Sequence, residues 1–352
     1  MITRLALTDF RNHADTVLEP APGFNLFTGP NGAGKTNIIE ALSLLAPGRG
    51  MRRAALSGMA RREGLGGFSI AARLGDGSDV GVGTLSANPD RRIVRINEAT
   101  QPAAALAERL AILWLTPSMD RLFLEGASGR RAFLDRLTLA LEPCHARVAS
   151  AYEQAMRERN RVLADEAAPD ARWLNALEAR MAESGHALHD ARLRTLEALA
   201  EGEEADDAFP AAHLSLVGYD GAPLRPALAQ ARRRDAQAGR TLVGPHRSDL
   251  DVVMAAKNEP AASCSTGEQK ALLLGIVIAH ARRVAERRGL APILLLDEVA
   301  AHLDPTRRAA LIERLAPVGQ IFMTGTEPQL FDAVGATAAR FSVRDGRAVR
   351  EG

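Results

Sequence analysis

Near the start of the chain, Gly29-Pro30-Asn31-Gly32-Ala33-Gly34-Lys35-Thr36 joins a short strand-like run, Gly23 to Thr28, to Asn37-Ile38-Ile39-Glu40-Ala41-Leu42-Ser43-Leu44-Leu45, where apolar residues recur at helical spacing. No other stretch restricts the possible folds as tightly. A G-x-x-x-x-G-K-[ST] sequence between strand and helix turns successive backbone N–H groups toward an anion. Its lysine adds a point charge, and its threonine hydroxyl is available to a bound Mg2+. The context demands a sheet whose strand ends at the loop and a helix packed behind it. The lysine stands out against the composition: of 44 basic residues only Lys35, Lys257 and Lys270 are lysines. A compact ammonium fits a phosphate cradle where a planar guanidinium does not.

A chain of 352 residues is long enough for two domains, or for one domain carrying a large insertion. No run approaches the roughly 18 apolar residues of a membrane span, and Met1-Ile2-Thr3-Arg4 passes directly into an alternating strand pattern. Two cysteines, Cys144 and Cys264, make no disulfide framework. The expectation is a cytoplasmic protein with no membrane association. A net charge of +1 does not announce a nucleic-acid binder, so any such binding needs basic residues clustered by the fold.

Along the chain, residues 2 to 7 and 24 to 27 read as neighbouring strands leading to the loop, with Phe10-Arg11-Asn12-His13 at a turn between them. Residues 68–74, 80–85 and 92–96 alternate and are separated by Gly75-Asp76-Gly77 and Asn88-Pro89-Asp90, the pattern of an antiparallel meander. A strand is expected at 112–115. Helices are expected at 129–141, 144–165, 171–201 and 223–237, interrupted by a strand at 213–219. The acidic stretch Glu201 to Asp207 reads as a loop or frayed helix end. The closing segment reads as helix 271–288, buried strand 292–297, helix 306–315 and strand 320–324, which implies a parallel sheet covered on both faces. The expected domains are residues 1–115 and 241–352 forming one α/β lobe, with 116–240 inserted as a mostly helical second lobe.

A phosphate loop of this type needs a carboxylate at the end of a neighbouring buried strand to hold the metal. Asp297, after Leu294-Leu295-Leu296, is in that position. Glu298 follows as a general base for the attacking water. Catalysis is thus assigned to Lys35, Asp297 and Glu298, and the metal site to Thr36 and Asp297. Ser265-Thr266-Gly267-Glu268 opens a helix and offers a hydroxyl and free N–H groups. Taken by itself it is an ordinary N-cap. A single ATP does not need two anion sites, however, and the pairing points to two protomers sandwiching two nucleotides.

The order of phosphate loop, S-x-G-E signature, Leu-Leu-Leu-Asp-Glu and His302-Leu303-Asp304 resembles ABC-type ATPases of the SMC/Rad50 kind. More closely, Phe10-Arg11-Asn12, Gly29 to Asn37, Gly129 to Asp135, Arg159-Asn160, Gly244-Pro245-His246-Arg247-Ser248-Asp249-Leu250 and Ser265 to Lys270 resemble the RecF family of bacterial recombination mediators. The likeness runs from residue 2 to about 326. It implies an ABC-type lobe with a mixed sheet and an antiparallel meander, like an SMC head. It further implies that Arg11 and Asn12 contact ATP, that Gly29 to Asn37 bind its phosphates, and that Ser265, Gly267 and Glu268 reach the γ-phosphate across a homodimer whose interface Asp304 lines. The implied function is ATP-driven dimerisation on duplex DNA near single-stranded gaps, slow hydrolysis, and recombinase (RecA) loading with RecO- and RecR-type partners. Two departures stand out. Thr266 and Glu268 replace more usual signature residues, and the strand ending in Thr324-Gly325-Thr326 lacks the histidine of most ABC ATPases.

Arginines cluster at Arg49/Arg52/Arg53, Arg61/Arg62, Arg130/Arg131, Arg157/Arg159/Arg161, Arg232/Arg233/Arg234 and Arg282/Arg283/Arg287/Arg288. Each reads by itself as a solvated face; any that meets DNA would give salt-sensitive, sequence-independent binding. With aromatics at 4%, duplex backbone is the expected target over stacked single strands. His186 and His189 read as surface histidines, and Cys144-His145 as no catalytic dyad. Other functions fit less well. A transporter ATPase keeps its motifs in one compact domain, an SMC-type break-end binder inserts a heptad coiled coil, and a small-molecule kinase has no use for Ser265 to Glu268.

Overall fold

The computed structural model describes residues 1–165, 170–201 and 208–351, without the side chain of His302. In chain order its elements are β1 (Ile2–Phe10), β2 (His13–Leu18), β3 (Phe24–Thr28), α1 (Lys35–Ser43), β4 (Phe68–Leu74), β5 (Asp79–Leu85), β6 (Asn88–Ile96), β7 (Ala99–Thr100), α2 (Leu106–Arg109) and β8 (Ile112–Leu115). There follow α3 (Ala127–Leu141), α4 (His145–Leu163), α5 (Ala171–Ala200), β9 (Ala212–Val217), α6 (Leu224–Ala238), β10 (Asp249–Met254), β11 (Glu259–Pro260) and α7 (Thr266–Arg288). The chain closes with β12 (Ile293–Leu296), α8 (Pro305–Leu315), β13 (Gln320–Gly325), β14 (Ala339–Arg344) and β15 (Arg347–Arg350). The acidic stretch 202–207 lies outside the described residues.

One unit is built from Met1–Asp120 and from Leu273 onward, the other from most of the chain between Arg121 and Leu272. The chain is expected from its sequence to return to the first lobe near 241. Contacts put that return later, at Leu273, because β10 pairs with β9 and carries 249–254 into the second unit's own sheet.

The first unit holds two six-stranded sheets. β1 buries Ile2, Leu5, Leu7 and Phe10 and exposes residues between them, so it has one wet face and suits an antiparallel sheet. That sheet runs β2-β1-β4-β5-β6-β7. β3 is buried at all five positions and lies in the second sheet, ordered β15-β14-β3-β13-β12-β8, in which every neighbouring pair except β14 with β15 is parallel. The expected pairing of 2–7 with 24–27 is therefore overturned. β1 instead turns directly into β2, where His13 and Thr16 point inward beside Leu18 and hide the strand's alternation from a hydropathy reading.

Helix α1 starts at the phosphate loop and is gripped at its other end from the antiparallel sheet. Arg92 on β6 donates to the carbonyls of Leu44, Ala46 (3.0 Å) and Gly48 (2.5 Å). These include acceptors that a helix end leaves unsatisfied. Burial lowers this guanidinium to about 10.

In the second unit α4, α5 and α6 close over Arg159, which is wholly buried. It donates to Glu178 Oε1 (3.1 Å), Asp235 Oδ2 (2.8 Å), Thr241 Oγ1 (2.9 Å) and the Leu228 carbonyl (2.8 Å). Arg159 thus drops out of the basic cluster it was grouped with: on a helix, Arg157 and Arg161 share one exposed face while the residue between them faces inward. His189 is likewise no surface histidine. It is 6% exposed and packs edge-on against Tyr219, at 5.1 Å between ring centroids.

Candidate functional site

The loop's conformation follows from how closely other backbone approaches it. Gly29 sits at φ 147°, where a Cβ would lie 2.2 Å from the Val343 carbonyl oxygen; Gly34, at φ 115°, would press on Asn12 and His13. Gly34 is the N-cap of α1 and brings no side chain to its first turn, so the positive end of the helix faces the loop. Lys35 is 4% exposed, and its Nζ donates to the carbonyls of Gly29 (2.7 Å) and Pro30 (2.9 Å). Burial lowers its pKa, against the charges of Glu298 and Asp297 nearby.

Both carboxylates arrive at the end of a single strand, β12, which β13 separates from β3 in the sheet. β12 is fully buried between β8 and β13, and the Asp297 N–H continues the ladder to the Leu115 carbonyl at 2.9 Å. The sheet therefore delivers Asp297 at its carboxyl edge. Asp297 Oδ1 accepts from the Thr36 hydroxyl (2.9 Å) and from the Thr324 hydroxyl (2.8 Å) at the end of β13. Burial raises its pKa, with these two hydrogen bonds opposing. Hard oxygen donors, one hydroxyl and one carboxylate, suit Mg2+. Glu298 follows in the left-handed region, at φ 54° and ψ 17°, which costs a non-glycine residue about 1–2 kcal/mol. Its N–H donates to Thr324 Oγ1 at 2.9 Å.

A polar backing holds the loop from behind. Gly346 N–H and Asn12 Nδ2 both donate to the Ala33 carbonyl (3.0 and 3.1 Å), and Asn37 Nδ2 donates to Asn12 Oδ1 (2.7 Å). His13 Nε2 lies 3.1 Å from the Gly34 carbonyl and its Nδ1 3.0 Å from Thr16 Oγ1; burial pushes this imidazole toward its neutral form. Arg11 donates to both oxygens of the buried Glu40 (2.9 and 2.6 Å) and to the Gly58 carbonyl (2.8 Å). Arg52 adds a contact to the same carboxylate at 3.2 Å. A cleft of about 450 Å³ opens here, lined by Arg11, Asn12, Asn37, Gly58, Arg61 and Arg62 among others. Arg11 and Asn12 thus stand beside the loop with hydrogen bonds already made to protein. His13, Glu40 and Thr324 carry no motif that singles them out in the sequence.

Asp304 N-caps α8, accepting from the Arg307 N–H at 2.9 Å, and its carboxylate is half exposed. Ser265, Gly267 and Glu268 lie at the start of α7, in the second unit. Glu268 Oε2 accepts from the Ser265 N–H (2.9 Å) and hydroxyl (2.8 Å), the Glu268 N–H returns to Ser265 Oγ (3.4 Å), and Lys257 pairs with the carboxylate. This is a reciprocal capping box. The bonds from Lys257 and Ser265 bring Glu268 down to about 2. Elsewhere in this unit Arg130 is committed to both oxygens of Asp249, and Arg131 to the Ser248 carbonyl at 2.8 Å.

A family profile, the RecF/RecN/SMC N terminal domain, matches residues 1–348. The "DNA replication and repair protein RecF" of Brucella abortus (strain 2308) is 48% identical over 367 residues, covering 98% of this chain and 95% of the relative. That of Rhizobium johnstonii is 50% identical over 366 residues, covering 98% of each. The chain belongs to the RecF family. A solved RecF described as bound to ATP, in the RecFOR pathway, superposes with TM-score 0.84 at 21% identity over 100% of this chain and 97% of that one. An SMC head bound to a winged-helix domain of ScpA superposes at 0.52 with 17% identity, over 100% of this chain and 98% of that one. The fold is that of the P-loop ATPases of the ABC/SMC type.

Proposed function

We propose that this protein is an ATP-gated DNA-binding ATPase of recombinational repair, whose dimer closes on duplex DNA near single-stranded gaps when ATP binds and opens after slow hydrolysis. The observation that carries this reading is the hydrogen bond from Thr36 to Asp297 at the base of a glycine loop, with Glu298 next in the chain. In this reading Gly29 to Asn37 and Lys35 bind the phosphates, Thr36 and Asp297 hold Mg2+, and Glu298 takes a proton from the attacking water. The cleft beside Arg11 and Asn12 takes the nucleoside. Ser265, Gly267 and Glu268 complete the γ-phosphate site of a second protomer, with Asp304 at that interface. DNA is met through phosphates by exposed arginines such as Arg157, Arg161, Arg233 and Arg234. Recombinase loading with RecO- and RecR-type partners follows from the relatives' family.

Sedimentation with and without ATP, run beside duplex titrations at several salt concentrations, tests this. The expected result is an ATP-dependent dimer whose log affinity falls linearly with log salt. Ser265→Arg is expected to bind ATP as a monomer and fail to dimerise. A monomer under all conditions with no duplex binding at low salt overturns the clamp and leaves a nucleotide enzyme of another kind.

A further inference from the structure

Glu298 has an unusual backbone, and something must hold it there. Its left-handed conformation at the end of β12 turns the chain out of the sheet, and its charge is felt at Lys35 more strongly than that of Asp297. A side-chain bond from the neighbouring strand holds this turn: the Glu298 N–H donates to Thr324 Oγ1 at 2.9 Å. The same hydroxyl gives its single proton to Asp297 Oδ1 at 2.8 Å, the oxygen that also accepts from Thr36. Thr324 is wholly buried, so water does not substitute for either bond.

We propose that Thr324 is a positioning residue for hydrolysis: its buried hydroxyl ties the Asp297 carboxylate to the Glu298 backbone, so that the group facing the metal and the group facing water move as one. The inference rests on the hydrolytic reading of Asp297 and Glu298 given above. It assigns a link between metal and γ-phosphate chemistry in a chain whose strand ends Thr324-Gly325-Thr326, without a histidine. A hydroxyl is required because the group must donate on one side and accept on the other; valine has the same shape and does neither.

The test compares Thr324→Val, Thr324→Ser and Lys35→Ala with the unaltered protein, measuring steady-state ATP turnover, equilibrium binding of a fluorescent ATP analogue, the Mn2+ concentration for half-maximal analogue binding, and thermal melting. Thr324→Val is expected to lose about 10- to 100-fold in kcat and to shift the Mn2+ midpoint upward, with KM for ATP changed less than about threefold. Thr324→Ser is expected to restore kcat to within about threefold, since it keeps the hydroxyl. The inference is overturned if Thr324→Val keeps its kcat, or if Thr324→Ser falls as far as Thr324→Val. It is also overturned if the loss in both variants follows a fall in melting temperature with kcat and KM moving together. Turnover equal in Lys35→Ala and the unaltered protein overturns the hydrolytic reading itself, and this inference with it.

Discussion

The glycine loop and the Ser265 turn both lie at the start of a helix, and they are finished in opposite ways. The loop has no capping side chain, and it is closed from behind by the buried His13 and Gly346, the half-buried Asn12, and the Thr36–Asp297–Thr324 chain of hydroxyl and carboxylate. The Ser265 turn is exposed and satisfied by its own Glu268, which Lys257 holds in turn. A preorganised site must be supported at every point by its surroundings, whereas a surface cap needs only three residues. The loop is therefore the more preorganised of the two, and in the dimer proposed above the turn would have to exchange a carboxylate for a phosphate.

The sharpest way to break this contrast is Glu298→Gln. It removes the proton acceptor together with one negative charge and leaves the shape nearly intact, so turnover is expected to fall by about 10²–10⁴ while ATP binding and melting temperature hold. A single-turnover assay checks it, and unchanged turnover would mean that the support around the loop serves binding alone. Next in size is Arg92→Met. It leaves buried carbonyls of the α1 end unpaired, with an expected cost of about 1–3 kcal/mol by urea denaturation and weaker ATP binding, although Arg92 is remote from the loop in sequence. The smallest effect is expected of Lys257→Ala: an unchanged melting temperature, with the Glu268 carboxyl titrating higher than in the unaltered protein when followed by NMR, since the Lys257 bond is lost. The sign is fixed because Glu268 is depressed from its ordinary 4.5, so its capping contribution is complete above about pH 4.5 and disappears as pH falls through about 2. A large loss of stability in this variant would show the turn to be as deeply supported as the loop.

Much of the loop's side of the comparison is legible in the sequence. Glycine, lysine and threonine at fixed spacing leave few alternatives, and four apolar residues before Asp297 announce a buried strand edge. What escapes is set by packing between distant segments. β2 escapes because His13 and Thr16 take inward positions where a strand usually shows apolar residues, and their role depends on a loop reached through Gly34 and Gly346. Thr324 escapes because a hydroxyl at the end of an apolar strand has no meaning until the register of β13 against β12 sets Met323 opposite Leu296, and so Thr324 beside Asp297. Arg159 escapes because charge alone does not tell an inward guanidinium from an outward one; the buried acids that receive it come from α5 and α6.

The grip of Arg92 on the far end of α1 has a mechanical meaning. A helix of nine residues is about 13 Å long and behaves as a short strut. One end meets the glycine loop and the other is pinned to the antiparallel meander. A shift of β6 along its strand direction is passed through Arg92 to the end of α1, and so to the loop at the helix's other end.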